Sequence, residues 1–79
     1  MEIQSLISID SETLGGQPVF KGTRVPVETL FDHLEQGISI DDFLDDFPTV
    51  TKEQAIGILE LAGKLFSARN LTQLYEAVA

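Results

Sequence analysis

A chain of 79 residues has room for one hydrophobic core, and at this size it buries only about 60 to 65% of its unfolded surface. It has no cysteine and a single histidine, which excludes disulfides and the usual zinc sites, and no apolar run is long enough to span a membrane. Thirteen carboxylates against five cations give a net charge of −8, which opposes binding to phosphate backbones and suits a basic protein partner. No basic stretch followed by an apolar segment marks a signal peptide, so the cytoplasm is the expected location.

There are no repeats or linkers, and residues 1–79 are expected to form a single domain. Residues 1–25 read as strands and turns. Ile7 and Ile9 alternate with polar neighbours, the pattern of a short half-buried strand, and Asp10 can cap a turn ending at Gly15-Gly16. Pro18-Val19-Phe20 and Thr23-Arg24-Val25 flank Lys21-Gly22, which predicts a tight hairpin with Gly at positive φ.

Residues 26–66 read as three helices. The first starts near Pro26, buries Val27, Leu30, Phe31 and Leu34, and ends at Gly37. The second has Ser39 as N-cap and the stripe Ile40, Phe43, Leu44 and Phe47 before Pro48. The third opens on a Thr51/Gln54 capping box. One of its faces holds Ala55, Ile56, Leu59, Ala62 and Phe66, and a second holds Ile58, Leu61 and Leu65. Together they sweep roughly 220°, about twice a usual core stripe, so something beyond the first two helices must cover them. Over 70–79, Asn70 as cap and Leu71, Leu74, Tyr75 and Val78 at helical spacing predict a last helix. That stripe is expected to cover Ile58, Leu61 and Leu65, within the chain or across a homodimer with exchanged helices. Three helices with short turns match the helix-turn-helix layout, and a generic small bundle fits the periodicity equally well.

The run Gly16-Gln17-Pro18-Val19-Phe20-Lys21-Gly22-Thr23-Arg24-Val25-Pro26-Val27 resembles the family known as domain of unknown function 433, with its Gly-Thr-Arg signature at Gly22, Thr23 and Arg24. Gly37, the Ser39 cap and the Thr51 box also fit, and the similarity runs from Ile7 to about Ala62. The resemblance implies a mainly α fold: a homeodomain-like helix-turn-helix core with a short N-terminal β element and a C-terminal helix. It further implies a VapB-like antitoxin that silences a PIN-like ribonuclease toxin and binds its own operator as a dimer.

On their own terms, the residues give a mixed picture. Lys21, Gly22, Thr23 and Arg24 are the one cluster of cations, a hydroxyl and turn amides, suited to phosphate or carboxylate. Structurally, Arg24 can instead tie the hairpin to Glu28 or Asp32. In helix three, Thr51, Lys52 and Gln54 are placed to read bases, but Glu53 and Glu60 would face phosphates. The nucleic-acid candidates are therefore Lys21, Thr23, Arg24, Lys52 and Gln54, with DNA binding weak or dependent on a complex. Asp41, Asp42, Asp45 and Asp46 form a face that either keeps the chain soluble or docks a basic partner. EF-hand spacing is absent, His33 reads as a surface or boundary residue, and no nucleophile has a base. The expectation is a non-enzymatic, cofactor-free antitoxin-like regulator. A dimeric repressor without a toxin, or an orphan interaction domain that has lost DNA binding, are the alternatives.

Overall fold

The computed structural model describes residues 3–12 and 14–78, with Val78 described in its backbone alone. A 3-10 turn (Ile3–Ser5) leads into β1 (Ile7–Ser8), and a second turn (Leu14–Gly16) leads into β2 (Val19–Phe20). Four helices follow: α1 (Val27–Glu35), α2 (Ile40–Asp46), α3 (Lys52–Leu65) and α4 (Ala68–Val78). The fold is mainly α, a three-helix helix-turn-helix core preceded by a small β element and followed by a fourth helix.

β1 and β2 pair antiparallel, Ile7 opposite Phe20 and Ser8 opposite Val19. The strand predicted to reach Ile9 stops at Ser8, and Ile9 is 64% exposed. The Asp10 carboxylate accepts the Glu12 N–H at 2.9 Å and turns the chain off the sheet. The predicted hairpin forms with a wider loop than its sequence suggests. Phe20 N–H donates to Val25 O (2.9 Å) and Val27 N–H to Pro18 O (3.0 Å), so Val25 to Val27 is the returning leg. Thr23 and Arg24 belong to the loop. The Thr23 hydroxyl donates to Phe20 O (2.8 Å) and accepts from Val25 N–H (3.0 Å), replacing ladder bonds. Gly22 sits at φ 79° in the turn closed by Thr23 N–H to Phe20 O, where a side chain would be strained.

Pro26 is the N-cap of α1 rather than its first helical residue, because it is still bridged to Val19. The helix ends in a Schellman closure: Gly37, at φ 79°, donates to Leu34 O (3.0 Å) and Ile38 N–H to His33 O (2.9 Å). Ser39 Oγ caps α2 by accepting Asp42 N–H at 3.1 Å. The α3 box is complete, with Gln54 N–H to Thr51 Oγ1 at 3.1 Å and Thr51 N–H to Gln54 Oε1 at 3.0 Å.

Leu6, Phe20, Leu30, Phe43, Val50, Ala55 and Ile58 form the core, drawn from the start of the chain, β2, the first two helices, the α2–α3 connection and the first half of α3. The wide apolar sweep of α3 finds its cover at the N-terminus. Ile58 is buried beside Leu6, and Ile3 and Leu6 flank a narrow cleft against Gly57 and Leu61. That corrects the expectation that α4 covers this face within the chain. Beyond the reach of Leu6, Leu65 is 60% exposed.

α4 starts three residues before Leu71, and its cap is Ser67, whose oxygens accept Asn70 N–H (3.4 Å) and Leu71 N–H (2.8 Å). Asn70, expected as the cap, instead donates from Nδ2 to Lys64 O at 2.7 Å, closing the end of α3. The stripe of α4 faces outward, with Leu71 43%, Leu74 56% and Tyr75 68% exposed; the side chain of Val78 lies outside the described residues. The radius of gyration, 13.8 Å, exceeds the about 12 Å of a compact chain this long. α4 is an arm.

Candidate functional site

Five residues were candidates for nucleic acid, and the fold uses three of them. Lys21 Nζ donates to Gln4 O at 2.9 Å, holding the N-terminal turn to the hairpin. Thr23 has its hydroxyl closed within the loop. Gln54 is bound at both ends of its amide: Oε1 takes Thr51 N–H, and Nε2 donates to Lys21 O at 2.9 Å. The structure thus brings Lys21 and Gln54 together, but as a brace between hairpin and α3.

Arg24 and Lys52 are exposed and, among the described residues, their side chains make no hydrogen bond or ion pair. The tie expected between Arg24 and Glu28 or Asp32 is not formed; Glu28 instead accepts from Gln17 Nε2 at 3.1 Å. Arg24 lines a groove with Ser8, Asp10 and Thr49, residues that the sequence reading missed. They lie up to 41 positions apart in the chain (Ser8 to Thr49), so no local pattern announces them.

The exposed face of α3 carries Lys52, Glu53, Ile56, Glu60 and Lys64. Ile56 with Gly57 forms a shallow apolar depression there, flanked by Lys52 and Glu53. A recognition helix reads adenine with a free amide and guanine with a free guanidinium or ammonium at this place. Here the one amide at its start is already bound.

Asp41, Asp42, Asp45 and Asp46 are all exposed along α2. Asp41 and Asp42 lie in the first turn, where the helix N-terminus favours them. Asp46 has a neighbour in His33, Nε2 to Oδ2 at 3.8 Å. The imidazole of His33 is half-buried, the boundary position of the two that its sequence allows. Its Nδ1 bonds Thr29 O at 2.8 Å, and its ring stands edge-on to Phe43 and Phe47 at 5.3 and 5.5 Å. It fastens α1 to α2 beneath the acidic face.

Leu65, Phe66, Leu71, Leu74 and Tyr75 leave a further apolar surface uncovered along the end of α3 and the arm. At about 150–250 Å² for a whole aromatic side chain, the exposed parts of these five, which share the C-terminal end of the molecule and lie on more than one face of it, add up to roughly 500 Å². Patches of about that size on a monomer are commonly functional. Of the residues grouped with them from sequence, Ile58 is buried in the core and Leu61 is half-buried, lining the cleft beside Ile3 and Leu6. Among the described residues no helix is long and apolar enough to cross a membrane.

A search of curated proteins finds no match. Among solved structures, a DUF433 member from Anabaena variabilis ATCC 29413 is similar, with a TM-score of 0.67 and 26% identity over 96% of this chain and 70% of that one. The profile of a family described as protein of unknown function (DUF433) matches residues 7–62. With most of its length matched, and the Gly16–Val27 hairpin run inside the match, the chain belongs to the DUF433 family.

Proposed function

We propose that this chain is a non-enzymatic, antitoxin-like regulator of the cytoplasm that acts by binding a protein, a PIN-like ribonuclease toxin. The observation that supports the reading is the state of Gln54: the helix in the recognition position has its one amide reader bound at both ends, which leaves Lys52 as the free polar side chain at its start, beside Glu53. The acidic α2 face supports a basic partner, because charge of one sign raises association rates with the other. Operator binding is secondary and depends on the complex, with Lys52 and Arg24 the cations left to make it.

The arm is covered by a second copy of the chain. The exposed apolar area at this end of the molecule, roughly 500 Å², is about the apolar share of the roughly 800 Å² per partner of a standard interface. Charge points the same way. Residues 61–79 carry two cations and one carboxylate, whereas residues 1–60 carry three cations and twelve carboxylates. Contact through the arms is therefore the arrangement with least like-charge repulsion. The test is co-expression with the product of the adjacent reading frame. The reading expects a complex that survives purification and holds two copies of this chain; a monomer that leaves the neighbour unbound overturns it.

A further inference from the structure

The groove beside the hairpin has a volume of about 620 Å³, and although Thr23 and Asp10 in its wall make bonds of the fold, several of its polar groups do not. Three segments distant in sequence meet there: the end of β1 with Ser8, the hairpin loop with Gly22 and Arg24, and the α2–α3 connection with Thr49. Their donors are open. Among the described residues the hydroxyls of Ser8 and Thr49, the N–H groups of Gly22 and Arg24, and the Arg24 guanidinium have no partner. Asp10 stands at the rim, with one oxygen already accepting Glu12 N–H. Half-buried Val25, with Val19 behind it, supplies an apolar wall.

An unpaired guanidinium is a notable outcome in a chain with thirteen carboxylates. Gly22 gives the loop its turn and Thr23 closes it, so two of the three signature residues are consumed in presenting the third. We propose that this groove binds a carboxylate of a protein partner, an acidic side chain beside an aliphatic one. Arg24 meets the two oxygens with its planar fork, the turn amide and hydroxyls complete the shell, and the aliphatic neighbour lies on Val25. A phosphodiester chain has oxyanions too, but it brings repeated charge toward a protein of net charge −8 and toward Asp10. A single carboxylate does not. The proposal rests on the protein-binding reading above for the nature of its ligand.

The test is a titration of the full ¹⁵N-labelled chain with N-acetyl-Val-Glu-amide, N-acetyl-Val-Gln-amide and a hexanucleotide of single-stranded DNA. We expect saturable shifts at the amides of Gly22, Arg24 and Thr49 with the Glu peptide only. Arg24→Gln, an exposed change that leaves the remaining spectrum intact, should weaken binding about fivefold. Lys64→Gln, on the end of α3, should leave it unchanged. Equal shifts from the Gln peptide, shifts undiminished by Arg24→Gln, absence of saturable shifts, or stronger perturbation of the same amides by the oligonucleotide would each overturn the assignment. Failure of the co-expression test with these shifts intact removes the antitoxin reading and leaves the groove.

Discussion

Replacing Gln54 separates a bracing residue from a base-reading one. Gln54→Ala removes the arm of the capping box, Thr51 N–H to Oε1 at 3.0 Å, and the long-range bond from Nε2 to Lys21 O at 2.9 Å. Each is a neutral, partly solvated hydrogen bond with a net contribution of about 0.5–1 kcal/mol, so the loss is about 1–2 kcal/mol. A domain of this size has a total stability of about 4–12 kcal/mol, and its melting temperature should fall by about 6–12 °C. Gln54→Glu keeps an oxygen for Thr51 N–H at a helix N-terminus that favours charge, and loses only the donor to Lys21 O. It should cost about half as much. Urea unfolding followed by circular dichroism gives both values. If Gln54→Ala costs less than about 0.3 kcal/mol, below any of these bonds, the amide is not bound as described and a reader's role is open again.

Further outcomes follow from other parts of the fold. Deleting residues 70–79, or changing Leu71, Leu74 and Tyr75 together to Ser, should dissociate the dimer in sedimentation while the core of residues 6–58 stays folded; an unchanged sedimentation coefficient makes the arm a free tail. Changing Asp41, Asp42, Asp45 and Asp46 to Asn should slow association with a basic partner and flatten its dependence on ionic strength, and wild-type rates at low salt would leave the face a solubilising one. Gly37→Ala should cost about 1 kcal/mol from the φ of 79° alone, since an added Cβ meets nothing within 4 Å; a loss above about 3 kcal/mol would mean a packing role. In any residual DNA binding, Lys21→Ala, Arg24→Ala and Lys52→Ala together should lower the log–log salt slope, by about 0.9 for each phosphate contact that is lost.

The helical core was legible because its signals are local. Leu30, Phe43 and Ala55 stand where the 3.6-residue period puts them, and all three are fully buried. The capping box at Thr51 and the glycine closure at Gly37 stand as their residue types dictate. What failed was non-local. Nothing in residues 3–6 shows that Leu6 will join Ile58 in the core, because the two stand 52 positions apart in the chain (58 − 6). Asn70 has the right residue type and spacing for a cap, but Ser67 lies nearer the end of α3 and takes the place. The same holds for the candidate sites. Lys21 and Gln54 were found by charge and position, yet tertiary bonds to Gln4 O and Lys21 O absorb them. Arg24 was expected in an ion pair because carboxylates are abundant, but the hairpin points it into a groove built from Ser8 and Thr49.

The proposal that this chain works by binding a protein rather than by reading DNA is tested most directly by titrating it into the product of the adjacent reading frame, which the proposal takes to be a ribonuclease, and following RNA cleavage. The account predicts inhibition that saturates at a fixed stoichiometry and proceeds without operator DNA. Cleavage unaffected by an excess of this chain, together with tight operator binding by the isolated protein, would contradict it.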